Sequence, residues 1–279
     1  MLLYKIGVKS LTGSHISKYS FVRHFVDVIN KSLKPDFVEI EGNKIFLDEK
    51  DSLFLSVRGF HEKTATDLVK NEIKEGDTVL DIGANIGYYT LLFAKLVGPT
   101  GKVFAFEPEP KNFKLLKKNV EENNYKNTQF FQNAVSDKDE KLKFYISDES
   151  SAANQLFQPK KFNEIIEVDS IKLDNFFSKD TKIDFVKIDI QGAEGTAIKG
   201  MISLLKNNPE IKIMQEWWPE AIKKYGMESD EHLKILESLG YKFYEIDGQN
   251  DKINEIYIKE LINKYPNEFF EDINLFCKK

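Results

Sequence analysis

Apolar positions set the first expectations for this chain. Across residues 16–33, Phe21, Phe25, Val28, Ile29 and Leu33 fall at helical spacing and predict a helix packed on the main domain. Residues 37–40 and 44–47 flank Gly42-Asn43 as a β-hairpin would, and residues 53–57 suggest a third strand. A short helix over 64–73 leads to Gly76-Asp77. Strand patterns then fall at 79–82, 103–106, 128–135, 142–147, 165–168, 184–190, 211–214 and 241–246, with an edge strand at 274–277. Helical patterns lie between them at 88–97, 111–122, 193–205 and 231–239. This alternation predicts an α/β fold, a mostly parallel sheet with helices on both faces. Residues 148–163 are polar and without period, and a loop of that length inside a compact domain is usually functional or mobile.

The densest signal runs from Val79 to Thr90. Val79, Leu80 and Ile82 form a buried strand carrying Asp81, followed by Gly83-Ala84-Asn85-Ile86-Gly87 and a helix from Tyr88. A strand that turns on glycine into a helix gathers free backbone N–H groups and a positive helix end at one point. Gly83 and Gly87 are expected to let backbone approach a ligand, and Asn85 to cap the helix. The strand over 103–106 ends at Glu107 before Pro108, where a carboxylate can accept both hydroxyls of a ribose. The two strand ends together describe a nucleoside-bearing cofactor with a small anionic or zwitterionic tail.

Composition narrows the classes. The 279 residues are 41% hydrophobic and 13% aromatic, enough for a sizeable core and too apolar for disorder. Charges nearly balance at a net −5, which argues against a nucleic-acid partner, since such a partner calls for a basic face. The single cysteine, Cys277, excludes an internal disulfide and a cysteine metal cluster. No run of 18 apolar residues predicts stable membrane insertion, and residues 1–10 do not read as a signal peptide, so a cytoplasmic setting is the expectation.

A nicotinamide or flavin fingerprint needs G-x-G-x-x-G, and Gly83 and Gly87 alone do not supply it; the phosphate-binding Gly-Lys-Ser/Thr pattern is also missing. An S-adenosylmethionine site fits better, because it keeps the ribose carboxylate and needs no pyrophosphate cradle. Residues 81–87 with Glu107-Pro108 resemble motif I and the second-strand acid of class I S-adenosylmethionine-dependent methyltransferases. His61-Glu62, Asn133-Ala134-Val135-Ser136, Lys187 through Glu194, Glu216, Gly240-Tyr241 and residues 274–279 resemble, more narrowly, the FkbM family. Gln191 stands where that family often has Glu. The resemblance implies a Rossmann-like fold with a seven-stranded sheet over residues 61–279, preceded by a helix and hairpin extension over 1–60. It also implies that Asp81, Gly83 and Gly87 line the methionine end, with Asn85 between them a further cofactor-binding residue, that Glu107 holds the ribose, and that Asn133 and Ala134 border the adenine.

Methyl transfer to an alcohol requires alignment and removal of a proton. Asp189, at the end of the fourth core strand, is the first candidate base, and holding the methionine ammonium is an equal alternative for it. Glu216, Glu194 and His61 are further candidates; Trp217 or Trp218 could stack on an acceptor, and Ser150, Ser151 and Asn154 could contact it. No metal-ligating arrangement stands out, although Asp189 and Glu216 have the chemistry to share a cation. The expected reaction is O-methylation of a sugar or other hydroxyl on a small molecule or glycan. A nitrogen or protein acceptor, a nicotinamide-dependent oxidoreductase on a related fold, and a binding module without turnover stay open at this point.

Overall fold

The computed structural model describes residues 34–147, 150–159, 161–266, 269 and 271–279, so the helix expected over 16–33 lies outside the described residues. The hairpin is present: β1 (Phe37–Ile40) pairs antiparallel with β2 (Asn43–Phe46) around a Glu41-Gly42 turn with both residues at positive φ. The expected third strand is instead a helical turn, α1 (Leu55–Arg58). Asp51 decides this, because its carboxylate accepts the backbone N–H groups of Leu55 (2.9 Å) and Ser56 (3.0 Å), so the segment starts as a capped helix. The helix α2 (Lys63–Glu72) follows as expected.

The core then alternates. In chain order it holds β3 (Thr78–Ile82), α3 (Tyr88–Leu96), β4 (Lys102–Phe106), α4 (Pro110–Glu122) and β5 (Thr128–Phe131). After an excursion through β6 (Ala134–Val135), β7 (Lys141–Ile146), β8 (Glu164–Ile171) and α5 (Leu173–Phe176), the chain returns at β9 (Phe185–Ile188). There follow α6 (Glu194–Lys199), α7 (Ile202–Asn207), β10 (Lys212–Trp217), α8 (Pro219–Tyr225) and α9 (Glu231–Ser238). The last described elements are β11 (Lys242–Asp247), β12 (Lys252–Ile256), α10 (Ile258–Lys264) and β13 (Ile273–Lys278).

The main sheet has the order β12-β11-β13-β10-β9-β3-β4-β5. From β10 to β5 every pair is parallel, and β13 runs antiparallel to both of its neighbours. Leaving aside the outer β12, the sheet has the seven strands expected, with β13 the one that runs against the others. The expected edge strand over 274–277 is therefore an interior one. Leu275, Phe276 and Cys277 are three consecutive buried side chains, the mark of a strand covered on both faces.

Two further expectations change. The strand over 128–135 breaks after Phe131: β5 belongs to the main sheet, whereas β6 joins β8 and β7 in a separate three-stranded sheet. The helix over 193–205 is divided at Gly200, where a Cβ would lie 2.1 Å from the Ser136 carbonyl oxygen, so the chain bends into α7. One apolar layer packs α2, α3 and α4 with the hairpin on one face of the main sheet, and the other packs α6 to α10 on the opposite face.

Candidate active site

The strand order reverses between β3 and β9: the chain first builds outward through β4 and β5, then returns to build the other half. At such a reversal the loops beyond the carboxyl ends of the two central strands diverge and leave a crevice. A cavity of about 310 Å³ lies there, lined from the ends of β3, β4, β9 and β10 and roofed by residues 150–154.

Its first wall is the turn after β3. The N–H groups of Gly83 and Ala84 both donate to the Phe106 carbonyl at 3.0 Å, locking the turn to the end of β4. Both glycines are required by the protein's own packing. A Cβ on Gly83 (φ +80°) would stand 1.9 Å from the Asp189 carbonyl oxygen, and one on Gly87 (φ +94°) would stand 2.8 Å from Leu116 Cδ1. Gly87 is also the residue that caps α3; Asn85 sits earlier in the turn at φ +50°, its side chain accepting from the Ile86 N–H at 2.7 Å.

Glu107 leaves β4 beside this turn. Its Oε2 accepts from the Asn85 N–H at 2.8 Å and its Oε1 from the Glu109 N–H at 2.9 Å, so two backbone donors fix the carboxylate against the glycine turn. Burial raises its pKa to about 7 against the opposing pull of those hydrogen bonds.

Acids gather at the other end of the cavity. Asp189, after β9, is held by Lys187 Nζ at 3.1 Å and by Gln191 Nε2 at 3.3 Å. Partial burial works to raise its pKa, but the Lys187 ammonium, its hydrogen bond and His61 prevail and hold it below the usual carboxylate range. Glu216, at the end of β10, accepts two bonds at 2.9 Å from the Gln191 amide; burial, then Asp189 and Asp272, push its pKa well up. Two neighbouring carboxyl groups thus carry opposite protonation tendencies.

The segment before α2 closes this end. Glu62 accepts from Tyr89 Oη at 2.8 Å and from Asn274 Nδ2 at 2.6 Å, tying α3 and β13 together, and His61 lies edge-on to Tyr88 and Tyr89. Five acidic side chains (Glu62, Glu107, Asp189, Glu216 and Asp272) line the cavity with Lys187 as the lysine among its described walls. Over the opposite end, Ser151 Oγ donates to Asp48 Oδ2 at 3.0 Å and the Ser151 N–H to Ser52 Oγ at 3.1 Å, pinning the roof to the N-terminal segment.

The cavity therefore brings together His61, Gly83, Asn85, Glu107, Asn133, Ala134, Ser150, Ser151, Asn154, Asp189 and Glu216 from the sequence expectations. Asp81 and Gly87 lie behind its wall. Asp81 is wholly buried and accepts from Thr90 Oγ1, and its Oδ1 has no hydrogen-bond partner. Glu194 is also behind the wall, accepting the N–H groups of Ile190 (3.0 Å) and Gly192 (3.1 Å) and so shaping the loop that carries Asp189 and Gln191. Neither tryptophan lines the cavity: Trp217 is core, its Nε1 donating to the Ser229 carbonyl at 2.8 Å. Tyr88, Tyr89, Asn112 and Asp272 are walls that sequence reasoning passed over, and Lys187 is one that it quoted without giving it a role. Lys187 carried a signal, a lysine inside an otherwise apolar strand at two residues from Asp189; the others had none. Among the described residues no group of three potential ligands is placed to hold a metal ion.

The sequence pattern of the methyltransferase FkbM domain matches residues 81–243, more than half of the chain. Methyltransferase 1 of Beauveria bassiana is 24% identical over 144 residues, covering 44% of this chain and 57% of that protein. The 31-O-demethyl-FK506 methyltransferase FkbM of Streptomyces tacrolimicus is 49% identical over 49 residues, 18% of each chain. Among solved structures, methyltransferase FkbM from Methylobacillus flagellatus superimposes with a TM-score of 0.45 at 14% identity, over 73% of this chain and 44% of that one.

Proposed function

We propose, from the premise that this chain belongs to the methyltransferase FkbM domain family, that it transfers a methyl group from S-adenosylmethionine to a hydroxyl of a sugar or comparable small-molecule or glycan acceptor. One observation carries the reading: Glu107 and Asp189 open onto the same cavity from either side of the sheet's reversal point, one fixed by backbone donors and the other ionised.

The donor set suits the cofactor. Glu107 keeps free lone pairs for ribose hydroxyls after accepting its two N–H groups. In this reading Asn133 and Ala134 border the adenine; both line the cavity, as does Asn112. The acid-rich end suits an ammonium and a sulfonium, both cationic. S-adenosylmethionine supplies an electrophilic methyl group when bound; the chain supplies the alignment and the proton acceptor. Asp189 is the base in this reading, since it stays ionised where Glu216 holds its proton, and a pair of acids pushed apart in this way assigns the roles. Gln191 bonds both and keeps them side by side. His61 and Glu62 border the same end and orient an acceptor hydroxyl, while the roof over 150–154 excludes water.

Residues 61–279 constitute the methyltransferase domain in this proposal and residues 1–60 an extension. The described part of that extension is bolted on: Asn119 of α4 accepts the Phe46 N–H at 2.7 Å and donates to the Phe46 carbonyl at 3.1 Å. The acid-lined cavity and the net charge of −5 favour an uncharged acceptor over a nucleic acid. No helix among the described residues is long and apolar enough to cross a membrane.

The test is calorimetric titration with S-adenosylhomocysteine, followed by labelled methyl transfer to a panel of hydroxylated and aminated sugars. Asp189→Asn is expected to lower turnover by about 10²–10⁴-fold, the range for loss of a general base. Absence of cofactor binding, or label appearing only on nitrogen, overturns the reading.

A further inference from the structure

A lysine on a central strand stands out in this fold, because a buried ammonium costs several kcal/mol of desolvation unless opposite charges surround it. Lys187 occupies the third position of β9, its side chain 5% exposed. Its register partner on β3 is Asp81, and Asp189 follows two residues on, so all three project from the same face of the sheet. Its Nζ reaches Asp189 Oδ2 at 3.1 Å and lies 5.0 Å from the centroid of the Tyr89 ring on α3. Beneath it, Asp81 is fully buried, bonded through one oxygen to Thr90 and with the other unpartnered.

We propose that Lys187, stationed between Asp81 and Asp189 on the cavity floor, is a positioning residue that orients the Asp189 carboxylate toward the acceptor and makes it, instead of Glu216, the proton-accepting group. This rests on the reading of Asp189 as the base given above.

The arrangement works as a ladder. Asp81 supplies a second buried carboxyl that attracts the ammonium through space without bonding it, and Lys187 itself bonds the Asp189 carboxylate. Burial pulls the Lys187 pKa down, but Asp189, Asp81 and Glu62 outweigh it, so the lysine stays charged. The groups facing Asp189 are Lys187 on its own strand, Asp81 from β3, His61 from the segment before α2, Gln191 and Glu194 from the following loop and helix, and Glu216 and Asp272 from β10 and the approach to β13. Lys187 is the member of that set that both touches Asp189 and carries a permanent positive charge. A shorter or neutral side chain there would leave Asp189 among four carboxyl groups, with no lysine to decide which acid ionises.

The experiment is a carbon-13 carboxyl titration by NMR on the ligand-free protein, with Asp189→Asn and Glu216→Gln used to assign the signals. In the wild type, Asp189 is expected to titrate below Glu216. In Lys187→Met combined with Asp81→Asn, which removes the buried charge that the single change would strand, the Asp189 midpoint is expected to rise by at least about one pH unit, the shift typical of losing an adjacent opposite charge. A wild-type order with Asp189 above Glu216, or an unmoved Asp189 midpoint in the folded double variant, overturns the proposal. If the double variant does not fold, a wild-type order with Asp189 above Glu216 still overturns the proposal. The measurement uses neither cofactor nor acceptor, so failure of S-adenosylhomocysteine to bind would strike the proposed function alone and leave the role of Lys187 standing or falling on the titration.

Discussion

At the scale of single residues, Glu107 makes the sharpest prediction. Its pKa of about 7 means that near neutrality it is only partly ionised, and the charged form is the better acceptor for two hydroxyls. Affinity for S-adenosylhomocysteine is therefore expected to be highest above pH 7 and to fall as the pH drops through that value. Glu107→Gln is expected to weaken binding by about 10–100-fold, the value of one or two hydrogen bonds to a charged group, and to flatten the pH dependence. Calorimetry between pH 6 and 8.5 reads both effects; a variant as tight as the wild type would remove Glu107 from the site. Glu107 was legible in the sequence because an acid placed directly after a buried apolar run rarely stands there without a partner. Asp81 was legible as important but not in its place. Sequence shows that it ends up beside the glycine turn, and only the packing shows that its carboxylate is buried against Thr90 behind the wall.

Elements behave less uniformly. Strands and helices with strong periodicity, such as α2, α4, β3 and β4, stand within a residue or two of their expected bounds. The failures have local causes. Capping by Asp51 overrode strand propensity at α1, and a close approach to the Ser136 carbonyl divided α6 from α7. The exchange of sheets between β5 and β6 leaves no trace in periodicity, since both halves stay apolar. The roof over 150–154 was expected to be functional on length alone, and its attachment through Ser151 to Asp48 came from residues about a hundred positions apart that no local pattern connects. Ser151→Ala removes that hydroxyl bond while leaving the backbone bond to Ser52. It is expected to speed S-adenosylhomocysteine dissociation by about 10–100-fold, the upper bound set by one hydrogen bond to a carboxylate. Stopped-flow displacement measures the rate; an unchanged rate would mean that the roof does not retain the ligand.

The molecule as a whole carries a pH liability away from the site. His232, on α9, is fully buried with neither ring nitrogen hydrogen-bonded, and burial lowers its pKa to about 4. The folded state then binds fewer protons than the unfolded state between that value and the ordinary 6.5, so stability is unaffected above pH 6.5 and declines as the pH falls toward 4. The full loss is about 3 kcal/mol from this residue. His232→Leu is expected to recover most of it at pH 4.5 and to change little at pH 8, as read by urea denaturation at the two values; equal effects at both would show that the imidazole is already charged in the fold.

The interior position of β13 has a consequence for synthesis. A ribosome delivers β10, β11 and β12 before β13, yet β13 belongs between β10 and β11. The half of the sheet beyond β10 must wait, with a strand-wide gap, until residues 273–278 emerge, and Asn274 reaches Glu62 only then. A nascent chain halted before that point holds the glycine turn and Glu107 but lacks the bolt across the acidic end, so the last strand to be translated among those described is the one that turns a partly folded scaffold into a finished pocket.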